Sequence, residues 1–275
     1  MSDSLLGVDY SFARPGGAAL KERGFSFAMR YCPYPGDQGK GLTAAEVEDL
    51  RGNDIAIGVV WESTDGRMFD GYPAGQEDAN AARLGLARLG YPSDKPIFFA
   101  CDRDLIPSMF PYVRDYMQGV LSVLGFARTG IYAEFEVIVF CVQEQLACYR
   151  WQTYAWSGGQ VYEGYDCYQY LNGQKVNGAD VDYDQIKADP SWLWWPEGMD
   201  DAMKPEEKEL FDAMAKLFGG RERILSAVSP EHGMDYLLGY GMEQAKVGVL
   251  IGAADEPTRQ AALAAAEAYR KEYNG

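Results

Sequence analysis

The sequence predicts a small barrel of alternating β-strands and α-helices, similar to a TIM barrel, followed by a C-terminal α-helical region. Three observations support this α/β fold class: about five strand–helix units follow one another, three further strands come without helices between them, and eight strands suffice to close a barrel. The chain has 275 residues, 47% hydrophobic and 24% charged, which is ordinary for a globular protein. We place the barrel in residues 1–195 and the helical region in residues 196–275.

The strand–helix units are predicted from apolar runs and from helix-capping residues. Thr43 with Glu46 three positions later matches a capping box and begins the second helix, which runs to about Arg51, and Gly90 ends the third helix. The first five predicted strands are 5–10, 25–32, 55–61, 96–101 and 129–133. The other helices between and after them are 16–23, 73–89, 108–124 and 135–145.

The last third of the predicted barrel has a different pattern. Strands are predicted at 149–156, 165–171 and 179–183, joined by turns rich in Gly and Asn that are too short to form helices. Residues 190–199 contain three tryptophans, and we expect a buried junction there because indoles seldom stay in water. Beyond it, one helix begins at Pro205 with an apolar stripe, and an alanine-rich helix follows Asp255.

Composition excludes several classes of function. The formal charge is −16, from 41 acidic and 25 basic residues, which argues against a nucleic-acid-binding surface. One histidine and five cysteines without CxxC spacing argue against a zinc site, a disulfide framework and a Ser–His triad, so we expect no metal and no other cofactor. No apolar run is long enough for membrane insertion. No segment resembles a secretory signal, so we expect synthesis in the cytoplasm.

Acidic residues recur where the predicted strands end, and barrels of this type carry their catalytic residues at that end. We therefore expect five candidate catalytic acids around one cleft: Asp9, Glu62, Asp102, Asp104 and Asp182. Asp102 and Asp104 are two positions apart, as are Asp180 and Asp182, so each pair is predicted to point to one side. Two acids that share a space raise one another's pKa, and a carboxyl that stays protonated near neutral pH suits a general acid.

Residues beside these acids are candidates for substrate binding, since aromatic faces at a cleft can stack on sugar rings. They are Arg30, Tyr31, Trp61, Tyr132, Glu134, Trp151 and Gln169. Most of the aromatic ones could equally be core residues. An acidic, aromatic-lined cleft without paired Cys, clustered His or a phosphate loop favours glycoside cleavage, which needs two carboxyls. Metal-dependent hydrolysis by the same acids stays an open alternative.

Four segments carry a resemblance to a known family. They are GVDYS at the first strand, FFACDRD at the fourth, WQ followed by WSGG at the sixth, and YQYLNGQKVNGADVDYDQ at the end. Over about residues 4–188 the chain resembles the glycoside-hydrolase-like family long called domain of unknown function 1906. That family is similar to the family 25 glycoside hydrolases, the lysozymes of bacteria and phages. The resemblance implies a barrel of five strand–helix units and three final strands that cleaves peptidoglycan as an N-acetylmuramidase does.

The resemblance also implies roles for individual residues. The family 25 aspartate of the first strand falls on Asp9, and that of the closing VDLN-like motif falls on Asp182. The Asp-x-Glu of the fourth strand falls on Asp102-Arg103-Asp104, so the expected glutamate donor is here an aspartate, one methylene shorter. Either another acid such as Glu62 or Glu134 donates the proton, or the chain is a catalytically weak glycan-binding or virion structural protein.

The same resemblance implies a partner and a place of action. The expected partner is the bacterial cell-wall glycan, reached by a phage lysin at release or by a virion-associated hydrolase. Residues 200–275 are expected either to pack on the flank of the barrel or to mediate self-association or contact with a virion component.

Overall fold

Eight strands close into a barrel in the order of the sequence in this computed structural model, which describes residues 4–64, 66–187 and 189–196. The strands are β1 Leu5–Asp9, β2 Phe27–Tyr31, β3 Ala56–Trp61, β4 Ile97–Ala100, β5 Thr129–Ala133, β6 Tyr149–Thr153, β7 Cys167–Val176 and β8 Ala179–Ile186. The helices are α1 Gly17–Glu22, α2 Ala44–Gly52, α3 Gly71–Ala87, α4 Phe110–Leu124 and α5 Phe135–Gln143. This confirms the predicted fold class. The C-terminal helices predicted after Pro205 and Asp255 lie outside the described residues.

The last strand runs against the others. Strands β1 to β7 pair in parallel, whereas β8 is antiparallel to both β7 and β1. The reversal takes place at Asn177 and Gly178, whose φ angles of 49° and 81° suit the tight turn of a β-hairpin. Because β8 is reversed, the beginning of β8 lies at the end of the barrel where the parallel strands finish. We call this end of the barrel the mouth.

Alternation along each strand divides the core into two layers. On β2, Phe27 and Met29 join the cluster inside the barrel, whereas Ala28 joins the layer between the barrel and its helices. The same rule places Gly7 and Asp9 of β1 on the inside. Gly7 is required there, because a Cβ atom would lie 2.5 Å from the ring of Phe27.

The helix cap predicted at Thr43 is half formed. The Thr43 side chain accepts a hydrogen bond from the Glu46 backbone N–H at 3.2 Å and begins α2. The Glu46 carboxylate does not complete a capping box, because it forms ion pairs with Arg30 at 2.7 Å and Arg14 at 2.8 Å. Two charged partners bind this carboxylate more strongly than one backbone N–H would.

The opposite end of the barrel is closed by the segment that follows β8. Trp192 lies inside the barrel against Phe98, with ring centroids 5.3 Å apart, and Trp194 pairs through its backbone with Ile57 at the start of β3. Both indoles are buried, which confirms the predicted buried junction over the part that the structure describes. None of the helices in the described residues combines the length and the apolar character of a membrane span.

Candidate active site

Three carboxyls at the mouth act on the phenol of Tyr31. Asp9 ends β1, Glu62 follows β3 and Asp102 follows β4; burial raises the pKa of the Tyr31 hydroxyl most, and the charges of these three acids raise it further. The charge of Asp182 acts on Asp9, and the two residues lie opposite one another across β1 and β8. The structure therefore brings four of the five predicted acids to one end of the barrel.

Asp9 is held by a buried amide. The side chain of Gln169 donates to Asp9 Oδ2 at 2.6 Å and lies 3.5 Å from Asp182 Oδ2. Its own carbonyl accepts hydrogen bonds from the hydroxyls of Tyr132, at 2.9 Å, and Thr153, at 2.7 Å. Gln169 and Tyr132, both predicted to bind substrate, thus fix the orientation of a candidate catalytic carboxyl.

Burial dominates the electrostatics of this group. It raises the pKa of Asp9 to about 7, together with the nearby charge of Asp182 and against the hydrogen bond from Gln169. Burial also raises the pKa of Asp182, opposed by the backbone N–H of Gly173, which donates to Asp182 Oδ1 at 2.7 Å. A carboxyl that titrates near neutral pH is a recurring feature of active sites.

One buried acid of the group was not among the predicted site residues. Asp184 on β8 is fully buried, accepts a hydrogen bond from the Trp151 indole at 2.8 Å and lies within hydrogen-bonding reach of Asp9. Burial raises the pKa of Asp184 well above the ordinary value, and the charge of Asp9 raises it further. A sequence signal existed, since Asp184 continues the period-two series of Asp180 and Asp182, but the predicted strand ended at residue 183.

A lysine at the mouth was also missed. Lys40 forms an ion pair with Glu62 at 3.0 Å, and its ammonium group lies 3.7 Å from the centroid of the Tyr31 ring. It comes from the loop between β2 and α2, which contains no periodic pattern that would indicate where a side chain points. The carboxylate of Glu62 therefore lies at the mouth in an ion pair with Lys40.

The two predicted acid pairs do not each fill one space. Strand β4 ends at Ala100, so alternation does not extend to the acids that follow it: Asp102 is half-buried and Asp104 is exposed. On β8, Asp182 is half-buried at the mouth, while Asp180 is exposed and pairs with Lys175 across the hairpin. The buried pair of carboxyls is instead Asp9 with Asp184.

Glu134 anchors the loop that carries Asp102 and Asp104. Its carboxylate is 1% exposed and accepts a hydrogen bond from the Leu105 backbone N–H at 2.8 Å. Burial raises its pKa, the N–H of Leu105 lowers it, and the nearby charges of Glu136 and Asp104 raise it. Because Glu134 Oε1 accepts the hydrogen bond from Leu105, this carboxylate holds the loop in position.

Three residues predicted to bind substrate are directed elsewhere. Arg30 is fully buried in the layer outside the barrel, where it pairs with Glu46 and donates to the carbonyls of Tyr10 and Lys40. Trp61 faces the same outer layer, 5.0 Å from the ring of Tyr34. Trp151 lies inside the barrel below the mouth, in an edge-to-face contact with Tyr132 whose ring centroid is 4.5 Å away. The predicted positions of these three side chains in the cleft are therefore wrong. Their strands are buried on both faces, so the sequence could not distinguish the inner face from the outer one.

Over the part of the chain that the structure describes, the cysteines and the acids show no arrangement for a metal ion. All five cysteines are free, and four of them are buried. Within residues 4–64, 66–187 and 189–196, no three His, Cys, Asp or Glu side chains are placed to hold a metal ion together.

Comparison with known proteins gives the family of the chain. The profile of the Rv2525c-like, glycoside hydrolase-like domain matches residues 18–190. Rv2525c of Mycobacterium tuberculosis, described by its name as a candidate peptidoglycan hydrolase, is 29% identical over 193 residues, covering 65% of this chain and 79% of the relative.

Solved structures agree with this match. The crystal structure of the Tat-secreted protein Rv2525c in complex with L-tartrate superposes with a TM-score of 0.63 and 27% identity, over 70% of this chain and all of that one. An uncharacterised Bacillus stearothermophilus protein has the same fold, with a TM-score of 0.52 and 20% identity over 69% of this chain and 100% of its own. A family 25 glycosyl hydrolase from Bacillus anthracis aligns more loosely, with a TM-score of 0.45 and 12% identity over 68% of this chain and 90% of its own. The chain therefore belongs to the family of Rv2525c-like, glycoside hydrolase-like domains.

Proposed function

We propose that this chain is a peptidoglycan glycosidase, of the N-acetylmuramidase type, that works with the carboxyls at the mouth of its barrel. The observation that carries the proposal is the position of Asp9, Glu62 and Asp102 at the mouth, where their charges act on Tyr31, with Asp182 opposite Asp9 on β8. Glycoside cleavage needs a proton donor and a negative charge beside the sugar, and both can come from such a group. The description of Rv2525c as a candidate peptidoglycan hydrolase supports the choice of polymer.

The residues divide into two roles in this proposal. Asp102 and Asp104, both on the loop after β4, are the acid and its assisting group: one protonates the leaving oxygen and the other assists it without sharing a buried space with it. Asp9 and Asp182 orient the sugar, and their negative charge stabilises the positive charge that develops on it in the transition state. Asp9 is ionised only above about pH 7, because burial and Asp182 raise its pKa to that value. We therefore expect the rate to fall as the pH drops below about 7.

Exposed aromatic rings on the mouth-side loops offer faces for sugar rings. Phe12 follows β1 and is 58% exposed, while Tyr154 and Trp156 follow β6 and are 42% and 45% exposed. Large apolar groups exposed beside a site are typical of binding surfaces. They support a glycan as the ligand of the mouth.

A second candidate function is glycan binding with weak catalysis, including a structural role in a virion. The observation that favours it is the state of the candidate donors. Asp104 is exposed, Glu62 is paired with Lys40, and Glu134 is bonded to the backbone of Leu105. A protein that uses the barrel only to bind a glycan needs no free proton donor, so these exposed or already paired acids are compatible with that function.

We also propose that the partner is the cell-wall glycan of a bacterium, reached as a phage lysin or as part of a virion. Residues 200–275, outside the described residues, supply self-association or virion contact in this proposal. Rv2525c is itself described as Tat-secreted, which is a different route to a wall. Mass spectrometry of purified phage particles, lysates and secreted protein fractions distinguishes these routes.

The test of function is a turbidity and zymogram assay on purified bacterial walls. We expect the wild type to clear the walls, and we expect Asp9→Asn and Asp102→Asn to slow clearing by roughly 10²–10⁴-fold. Asp104→Asn tests the donor, and Asp115→Asn, at an exposed position on the outer helix α4, is the matched control. Released fragments that end in a reducing N-acetylmuramic acid identify the bond.

Other outcomes select other functions. Binding to walls without clearing, in wild type and variants alike, selects the glycan-binding candidate. Clearing that a chelator abolishes and a divalent metal restores selects metal-dependent hydrolysis. Clearing that survives both Asp9→Asn and Asp102→Asn contradicts the proposed mechanism.

A further inference from the structure

Two buried carboxyls lie within hydrogen-bonding reach of one another beneath the mouth. Asp184 is 0% exposed and Asp9 is 7% exposed, both lie on the inner side of the paired strands β8 and β1, and each acts on the pKa of the other as a hydrogen-bond partner. Carboxylate oxygens only accept hydrogen bonds, so two ionised carboxylates cannot bond to one another. A hydrogen bond between the two groups requires that one of them holds a proton.

The other partners of the pair indicate which oxygen holds that proton. Gln169 turns its NH₂ group towards Asp9 Oδ2, at 2.6 Å, while its carbonyl accepts hydrogen bonds from the hydroxyls of Tyr132 and Thr153, so Asp9 Oδ2 is an acceptor. The Trp151 indole N–H can only donate, so Asp184 Oδ1, 2.8 Å away, is an acceptor. Asp184 Oδ2 is then left buried with no N–H or O–H donor among the described residues. A proton on this atom gives it a partner, because it can then donate to Asp9.

We propose that Asp184 is a positioning residue that carries this proton on Oδ2 and donates it as a hydrogen bond to Asp9. When Asp9 ionises, its carboxylate accepts hydrogen bonds from Gln169 and from Asp184, and it is fixed at the mouth for its role beside the sugar. The inference rests on the proposed function for that role, and it deepens it by naming what holds Asp9 in place.

The surroundings of the pair are consistent with a neutral Asp184. Burial raises its pKa well above the ordinary value, and the charge of Asp9 adds to the effect, while the Trp151 N–H opposes it. Cys167 lies 3.8 Å from Asp184 Oδ1, and burial keeps its thiol protonated by raising its pKa. The remaining titratable groups near the pair are Asp182 on β8, Tyr31 on β2 and Tyr132 on β5, and the charge of Arg30, on the outer face of β2, also acts on Asp9. The basic one among them is Arg30, whose guanidinium is bound to Glu46.

The first experiment is a titration that needs no substrate. Carboxyl carbons of ¹³C-labelled aspartate are followed by NMR in the wild type and in Asp9→Asn and Asp184→Asn, which assign the two resonances. We expect the resonance that disappears in Asp184→Asn to be that of a protonated carboxyl at pH 7. If that resonance is already ionised there, the proposal is overturned.

The second experiment separates a hydrogen-bond donor from a mere space-filler. Asp184→Asn retains a donor, since its amide NH₂ takes the place of Oδ2, whereas Asp184→Leu has a similar shape and no donor. We expect Asp184→Asn to leave the titration midpoint of Asp9 near its wild-type position, and Asp184→Leu to move it to higher pH. Equal midpoints in the two variants would overturn the proposal, and if Asp184→Leu does not fold, the titration of the wild type still decides.

Wall clearing by the full chain gives a third readout. Below the Asp9 midpoint, we expect Asp184→Leu to lose about 10- to 100-fold in rate, the effect of one lost hydrogen bond to a charged group, and Asp184→Asn to recover most of it. A wild type that clears no walls contradicts the proposed function and leaves the NMR result to judge Asp184 by itself. An active wild type in which Asp184→Asn is as impaired as Asp184→Leu contradicts the positioning role.

Discussion

At the scale of single residues, this chain places acids where burial changes their protonation. Asp9 and Asp184 lie inside the barrel, and for both burial is the largest cause of a raised pKa. Each acid bears a cost in stability, because an unfolded aspartate with an ordinary pKa of 3.8 releases a proton that the folded state retains. Sites that are built for chemistry commonly bear such a cost.

Asp184→Asn is expected to stabilise the protein at alkaline pH. The folded pKa lies above the unfolded value of 3.8, so the wild type loses stability as the pH rises from that value through the folded pKa. Asparagine has no proton to lose and retains the hydrogen bonds. The Tm of the variant should therefore exceed that of the wild type at about pH 8 and converge with it at about pH 4. A gap in Tm that is independent of pH would contradict the assigned protonation.

Arg30→Met is expected to destabilise the fold by roughly 3–5 kcal/mol, because it leaves the buried Glu46 carboxylate without its closest partner. Burial by itself raises the pKa of Glu46, and Arg30 with Arg14 outweighs it and lowers that pKa below its ordinary range. Urea unfolding gives the free energy, and Lys21→Met, which removes an exposed partner of Asp54, is the control. A loss no larger than that of the control would mean that Arg14 alone suffices for Glu46.

At the scale of helices and strands, the alternation of apolar runs and caps predicts the fold well. Strand β5 has the predicted bounds, Thr129–Ala133, and α2 begins at the predicted cap. These elements are specified locally, by a short, mainly apolar run for β5 and by one side-chain hydrogen bond for α2. The predicted length of a strand is wrong where its pairing with a neighbouring strand determines the length. Strand β8 was predicted to end at residue 183, but it continues to Ile186 because β1 and β7 pair with it there.

The candidate site could be predicted only in outline. Asp9 and Asp182 reach the mouth as expected, although Asp182 does so from the beginning of a reversed strand. The residues of a strand do not indicate in which direction the strand runs. When both faces of a strand are buried, they also do not indicate which face points into the barrel. For that reason Arg30 and Trp61 were placed in the cleft by their position in the sequence, while alternation directs both outwards.

Two glycines set the distance between α3 and α4. A Cβ atom on Gly119 would lie 2.1 Å from the carbonyl oxygen of Tyr72, and one on Gly75 would lie 2.0 Å from that of Tyr116. Gly119→Ala should therefore push the helices apart and cost about 1–3 kcal/mol. Gly52→Ala, at the end of α2 with nothing within 4 Å, should be neutral or slightly stabilising. Urea midpoints of the two variants measure the difference, and equal midpoints would show that the helices can separate without loss.

At the scale of the whole molecule, the barrel is open to chemistry at one end and closed at the other. The mouth carries the acids and the loops with exposed rings, whereas residues 190–195 seal the opposite end. Lys95 donates to the Ser191 carbonyl at 2.6 Å and Arg51 to that of Trp195 at 3.1 Å, so the seal is fixed to the ends of the barrel strands and helices by charged donors. The segment after β8 is thus part of the barrel core and not a linker.

A truncation series tests this seal. We expect a chain that ends at Pro196 to retain the urea midpoint that the barrel transition has in the full chain, because the described core is then complete. A chain that ends at Asp189 loses the buried side chains of Trp192, Leu193 and Trp194, and the removal of one buried tryptophan alone costs about 3–5 kcal/mol. Since a whole domain is stable by roughly 5–15 kcal/mol, the shorter chain should be largely unfolded in water. Equal urea midpoints for the two chains would show that residues 190–195 are dispensable for the stability of the barrel.

Light scattering on the full chain and on the chain ending at Pro196 tests the role of the residues after 196. If the full chain alone self-associates, these residues mediate assembly. If the shorter chain alone aggregates, they cover the barrel.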